Sequence, residues 1–255
     1  MTAGRLWSFR RRPPTLDPMQ DAPRLFVEHS LSPGAILAAS GPQAHYLQVV
    51  LRRADGSALR LFNGVDGEWD ATLRAGRRDR AEFVVGERVR PQAAEPGVAL
   101  VFALLKRDAT DLVVRQATEL GVRSLQPVFT ERTNSARLNA ERLTLIAREA
   151  AEQSERLDVP PVHPARRLAD LLGDWPDGDM LVAAVERAGA EPVRPAREPG
   201  RTSLLVGPEG GFTGPELDAL RARPFVLPAT LGPRILRAET AAIVGLALLG
   251  APGPR

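Results

Sequence analysis

The chain has 255 residues, 44% of them hydrophobic, with no cysteine and a formal net charge of +3. That length suits one large or two modest domains at roughly 150 residues each, and the apolar content excludes wholesale disorder. The missing cysteine removes disulfides, thiolate zinc sites and thiol nucleophiles, and the longest apolar stretch, Ala241 to Leu249, is far short of the ~20 residues that span a bilayer.

In chain order, residues 1–20 read as a leader without periodicity, expected to be disordered. Arg10-Arg11-Arg12-Pro13-Pro14 carries charge and prolines there, and Met19 offers an alternative start. Arg5 and Arg10 to Arg12 interrupt the apolar residues, so no signal-peptide pattern forms, and a cytoplasmic location is expected. Residues 21–90 read as a small β-barrel of short strands. Arg24-Leu25-Phe26-Val27 is the first strand, and Ser40-Gly41-Pro42-Gln43 has the spacing of a capping box. Ala58 to Phe62 alternates toward Asn63-Gly64, a strong turn dipeptide, and Asp66-Gly67 is a second one. Trp69, Ala71 and Leu73 alternate with polar residues, and Ala81 to Val85 gives another strand. Arg52, Arg53, Arg74, Arg77, Arg78 and Arg80 cluster at or near the turns.

Residues 91–97 are rich in proline and alanine and read as a linker. From residue 98 to 255 the pattern becomes alternating strands and helices, which argues a mainly parallel α/β sheet. Val98 to Leu105 is a continuous apolar run, as in a strand buried on both faces. The spacing predicts a helix opening at Thr110 or Asp111 and closing at Gly121. Leu125 to Phe129 is the next strand, and Asn139 caps a long helix through about Arg156. Met180 to Val185 and Ser203 to Val206 are two more buried strands. Thr213-Gly214-Pro215-Glu216 is another capping box with proline in the first turn. A short strand, Phe225-Val226-Leu227, precedes the final apolar helix, which must be buried in its domain or against a second subunit.

Two stretches point to chemistry. In parallel sheets ligands sit beyond the carboxyl ends of strands, and Gly207, Gly210 and Gly211 follow such a strand. Glycines let a ligand approach the main chain closely. Gly207-Pro208-Glu209 does not fit the dinucleotide pattern, and no Lys-Ser or Lys-Thr follows to make a P-loop. The second stretch, Leu231 to Ala241, carries Arg234 and Arg237 among apolar residues, with Glu239 opening the last helix. Glu239, in the first turn of that helix, is a favourable charge at a helix start. The basic side chains are almost all arginine, Lys106 being the single lysine. Arginine suits bidentate phosphate contacts. His29, His45 and His163 stand far apart, and no metal-ligand spacing occurs. A non-catalytic RNA-binding protein and a nucleotide-dependent oxidoreductase are the rival readings. The missing nicotinamide and flavin fingerprints count against the oxidoreductase.

Leu205-Val206-Gly207-Pro208-Glu209-Gly210-Gly211, followed by Leu231-Gly232-Pro233-Arg234-Ile235-Leu236-Arg237-Ala238-Glu239-Thr240-Ala241, resembles the ribosomal RNA small subunit methyltransferase E family. That family belongs to the SPOUT class of knotted, S-adenosylmethionine-dependent RNA methyltransferases. Further matches are Lys106 before Arg115-Gln116-Ala117-Thr118-Glu119-Leu120-Gly121-Val122, then Thr130-Glu131-Arg132, and Arg148 to Arg156. Pro23 to Phe26 and Val50-Leu51-Arg52 match the family's PUA-like barrel. Arg107 and Tyr46 depart from it, standing where the family usually has glycine and often has histidine.

The resemblance implies a carboxyl-terminal α/β domain with a deep trefoil knot, a homodimer, and methylation of N3 of a uridine in 16S ribosomal RNA. A ribose 2′-O enzyme of the same superfamily is the nearest alternative. It implies cofactor contacts from Leu205, Gly207, Pro208, Glu209, Gly210, Gly211, Leu227, Leu231, Gly232, Ile235 and Leu236. Arg237, Arg234 and Glu239 become catalytic candidates, and Arg24, Arg52, Lys106, Arg132 and Arg156 candidates for RNA contact. The expected partner is 16S ribosomal RNA or the small ribosomal subunit, with no membrane and no metal.

Overall fold

The computed structural model describes residues 22–76, 80–94, 96–133, 138–185 and 190–250. The expected leader, with Arg10 to Arg12, and the turn residues Arg77 and Arg78 lie outside them. Contacts divide the described residues into two units, those within 22–25, 31–61 and 69–89 forming one and those within 26–30, 62–68 and 90–250 the other. No helix of the described residues is long and apolar enough to cross a membrane.

The first unit is built on a five-stranded half-barrel. Its strands are β1 (Arg24–Phe26), β2 (Ile36–Ala38), β3 (Ala58–Phe62), β4 (Glu68–Ala75) and β5 (Ala81–Arg90), in the order β1-β3-β4-β5-β2. Alternation puts Trp69, Ala71 and Leu73 of β4 and Ala81, Phe83 and Val85 of β5 inside. Leu59, Leu61 and Phe83 are fully buried, each worth roughly 1.5–3 kcal/mol. The expected capping box forms: the Ser40 N–H donates to Gln43 Oε1 at 3.0 Å, and the Gln43 N–H donates to Ser40 Oγ at 3.4 Å. It opens α1 (Gly41–His45), which runs into a π-helical turn, Tyr46–Val50. Arg52 follows with φ +51°, a left-handed conformation uncommon outside glycine.

The second unit is a parallel α/β sheet. Its strands are β6 (Ala99–Ala103), β7 (Leu125–Phe129), β8 (Arg166–Arg167), β9 (Met180–Ala184), β10 (Glu191–Pro192), β11 (Thr202–Val206) and β12 (Val226–Thr230). They lie in the order β10-β12-β9-β11-β6-β7-β8, each pair parallel. Helices α2 (Arg107–Glu119), α3 (Ala140–Gln153), α4 (Leu168–Gly173), α5 (Gly214–Arg221) and α6 (Ala238–Gly250) cover it. Leu100, Phe102, Leu204 and Val206 pack with Val113, Ala117, Leu143, Ala242 and Leu246 on one face. Val101, Leu205, Leu181 and Ala183 pack with Leu168, Leu171, Leu172 and Leu220 on the other. Every residue of β6 and β11 is buried, as two-sided cover requires.

Several local signals act as expected. Gly121 ends α2 at φ +78°, Asn139 accepts from the Arg142 N–H at 2.9 Å, and Thr213 with Glu216 forms the second capping box. Boundaries differ in places, and the long helix expected through about Arg156 ends at Gln153. The helix expected to open at Thr110 or Asp111 begins at Arg107 with Lys106 as its N-cap. Thr110 sits inside the first turn, its hydroxyl bonded to the Leu105 carbonyl at 3.1 Å, so the residue that looked like a cap braces the turn from within. The short strand expected at 225–227 runs instead from Val226 to Thr230, through Pro228. Proline is tolerated there because β10 pairs only from Ala229 onward, leaving that side of Pro228 as a sheet edge.

Candidate functional site

The strand register decides where the site lies. Val206 of β11 is level with Ala184 of β9, and Ala184 with Ala229 of β12. Three neighbouring strands therefore stop together, and the chain leaves them at Val185, Gly207 and Leu231. A cavity of about 1310 Å³ opens beyond those ends. Its apolar wall includes Ala184, Val185, Ala190, Pro192, Phe212 and Leu217, and the charged residues that line it are Lys106, Glu209, Arg234, Arg237 and Glu239. The bend Gly207–Phe212 and the bend Leu231–Arg237 both line it.

Each bend is shaped by its own residues. Pro208 to Gly211 forms a turn closed by the Gly211 N–H on the Pro208 carbonyl at 2.8 Å, with Gly211 at φ +67°. At Gly207 a β-carbon would lie 3.0 Å from the Phe212 ring, so glycine lets the ring fold back under the loop. In the second bend Thr230 Oγ1 accepts from the Gly232 N–H at 3.3 Å, and Gly232 has φ +121°. Open space surrounds the β-carbon positions of Gly211 and Gly232. α6 then opens at Ala238, and the Ala241 N–H bonds the Arg237 carbonyl at 2.8 Å.

The expected site residues divide into groups. Gly207 to Gly211, Leu231, Gly232, Arg234, Ile235, Leu236, Arg237, Glu239 and Lys106 all line the cavity. Leu205 does not: it is fully buried and packs on the α5 face with Leu220 and Val226. Its neighbour Val206 lines the cavity instead, because successive strand residues point to opposite faces. Leu227 is 51% exposed and lies outside the cavity wall; Thr230, at the end of the same strand, lines it. Arg132 donates from Nη1 to the Gly210 carbonyl at 2.7 Å. Arg156 is buried, donating to the Thr118 carbonyl at 2.9 Å and to Asp158 at 2.9 and 3.1 Å, so its guanidinium is engaged inside the protein. Arg24 and Arg52 belong to the first unit. The sequence reading missed Ala184, Val185, Pro192 and Phe212. The first two carried a usable signal, the carboxyl end of a buried parallel strand.

Known proteins match along nearly the whole described chain. A family model described as an RNA methyltransferase domain matches residues 93–250, and an RNA methyltransferase PUA domain matches residues 40–86. A ribosomal RNA small subunit methyltransferase E from Rickettsia conorii is 33% identical over 229 residues, covering 88% of this chain and 93% of the relative. A Neisseria gonorrhoeae enzyme of the same name, solved bound to S-adenosyl methionine, superposes with a TM-score of 0.78. It is 30% identical over 89% of this chain and 95% of its own. A methyltransferase from Legionella pneumophila, solved with the bound cofactor SAM, reaches 0.80 at 26% identity, over 89% and 96% of the two chains. With two glycine-bearing bends on one crevice and this likeness running through both units, the chain belongs to the ribosomal RNA small subunit methyltransferase E family.

Proposed function

We propose that the protein methylates N3 of a uridine in 16S ribosomal RNA, with S-adenosylmethionine as donor. The observation that carries this reading is the meeting of both bends on one cavity. Main-chain groups of Gly207–Gly211 and Leu231–Leu236, with the apolar wall from β9 and β10, suit a cofactor held by backbone bonds and packing. The cavity volume of about 1310 Å³ exceeds the roughly 300–1,000 Å³ usual for one small ligand, which leaves room for a nucleobase beside the cofactor. S-adenosylmethionine, when bound, supplies a methyl group already activated on a sulfonium.

The chain's own task is alignment and charge. Holding the base nitrogen against the donor is worth roughly 7–11 kcal/mol of the barrier. Uracil N3 is a poor nucleophile until its proton leaves, and negative charge then builds on the base oxygens. Arg237, and next Arg234, supply the cation that stabilises that charge. Glu239 lines the same cavity in the first turn of α6, so it serves the helix dipole and is a carboxylate available to take the proton. Lys106, also on the wall, adds a compact positive charge for the RNA.

Residues 21–90 act in this reading as the RNA-holding module and 98–255 as the methyltransferase domain, joined by 91–97. Arg24 and Arg52 contact phosphates, and the uridine leaves its stack to enter the cavity. The strand order β12-β9-β11-β6-β7 supports the SPOUT assignment, whose carboxyl-terminal segment is knotted. The active form is a homodimer in the cytoplasm. To test the function, small ribosomal subunits are incubated with the protein and S-adenosylmethionine, and the digested RNA is analysed by mass spectrometry. N3-methyluridine is expected; a 2′-O-methyl nucleoside, or no new methyl group, overturns the reading.

A further inference from the structure

The glycine loop after β11 is tied to the turn after β7, although those strands are not neighbours. β6 lies between them, so at ~4.8 Å per strand the connection spans about 10 Å across the end of β6. Two bonds make it. Arg132 donates from Nη1 to the Gly210 carbonyl at 2.7 Å. Glu216, in the first turn of α5, accepts the Glu131 N–H on Oε1 at 2.9 Å and the Thr213 N–H on Oε2 at 2.9 Å. One carboxylate thus links the β7 turn to the end of the glycine loop. The turn is braced from inside, because Thr133 Oγ1 accepts the Thr130 N–H at 2.9 Å. The arginine stem also packs beneath the loop: a β-carbon on Gly210 would lie 3.4 Å from Arg132 Cδ and 3.6 Å from its Cβ.

We propose that Arg132 and Glu216 are positioning residues, a clasp that holds the Gly207–Gly211 loop in its binding shape before the cofactor arrives. The inference rests on reading the cavity as the cofactor site. Glycine has the most backbone freedom to lose on ordering. A stretch with Gly207, Gly210 and Gly211 that is not held in advance spends binding energy on its own immobilisation. The clasp removes that cost over the carboxyl half of the loop, at Gly210 and just past it at Thr213. It gives Arg132 a role distinct from the phosphate contact that the family resemblance implies for it.

The test uses the full chain with Arg132→Ala and Arg132→Lys. Glu216→Ala is avoided, because Glu216 also caps α5. Calorimetry with S-adenosylhomocysteine should show about tenfold weaker binding for Arg132→Ala. KM for S-adenosylmethionine should rise by a similar factor, with kcat at saturating cofactor, melting temperature and the salt dependence of RNA affinity all unchanged. Arg132→Lys, which keeps the stem and one donor, should recover part of the loss. Unchanged cofactor affinity overturns the clasp. So does a salt slope shallower by about 0.7, which would mark Arg132 as a phosphate contact. A wild-type chain that binds no S-adenosylhomocysteine removes the cofactor reading itself, and the clasp with it.

Discussion

Arg237 shows how much a single residue's setting can be read from sequence and how much cannot. Arg237 lines the cavity and its carbonyl anchors the first turn of α6, so truncation beyond Cβ should leave the backbone in place. Arg237→Ala is expected to lower kcat by roughly 10²–10³, the usual cost of losing one group that faces developing charge. S-adenosylhomocysteine affinity should stay nearly constant. Wild-type turnover with saturating RNA and cofactor would remove Arg237 from this role. Arg156 is the contrasting case: its motif resembles an RNA-contact position, yet packing between helices buries it against Thr118 and Asp158. Asp158 is a local partner two positions on, but burial depends on the helix opposite, whose Thr118 carbonyl lies 38 residues away in sequence. Leu205 and Val206 differ for a related reason. An apolar run reads the same on both faces, so only the assembled sheet says which of the two borders the cavity.

At the scale of the element, α6 turns on Gly245. A glycine inside a helix costs about 1 kcal/mol relative to alanine, so a physical reason for it is needed. A β-carbon there would lie 2.6 Å from Leu204 Cδ2 and 3.1 Å from Cδ1, and Leu204 is fully buried in β11. The missing side chain is what lets the helix rest on the central strand. Gly245→Ala sets a gain in helix propensity against this overlap. Gly245→Val enlarges the overlap and recovers less propensity, so it should destabilise the protein by roughly 1–3 kcal/mol. Urea denaturation would register this as a lower midpoint; an unchanged midpoint would show that α6 can move off β11 freely. In sequence, the same glycine reads only as a weak spot in an apolar helix. The strand β12 carried a comparable ambiguity, since Pro228 argues for a strand end until the short reach of β10 is known.

For the molecule as a whole, two expectations concern what it binds. α6 turns Ala242, Leu246 and Leu249 inward but leaves Leu248 40% exposed, with Ala247 exposed beside it. In the proposed homodimer a second copy would cover this side, which would account for a helix that is apolar nearly all round. Leu248→Arg should shift the protein toward monomer in analytical ultracentrifugation at micromolar concentration. A wild-type monomer, or a variant dimer as tight as wild type, would reject that assembly. Phosphate contact by the first unit should appear as salt dependence. Each contact to single-stranded RNA contributes about 0.7 to the slope of log affinity against log salt. Arg24→Ala and Arg52→Ala should therefore each flatten the slope by roughly that amount, and an unaltered slope would place the RNA elsewhere.

The sequence by itself determined the kinds of element and the identity of the family. Alternation in β3 to β5, two-sided apolar runs in β6 and β11, and capping boxes at Ser40 and Thr213 are short-range patterns set by residues a few positions apart. The two bends are likewise contiguous strings. The family resemblance already implied that both bends serve one cofactor; tertiary structure gave the shared cavity its shape, and it alone decided that Lys106 joins them there and that Arg132 turns toward Gly210. Those relations depend on strand order and register, with β9 between β11 and β12 and β6 between β11 and β7. Register is settled only when distant segments compete to bury the same surface, and that competition takes place in three dimensions.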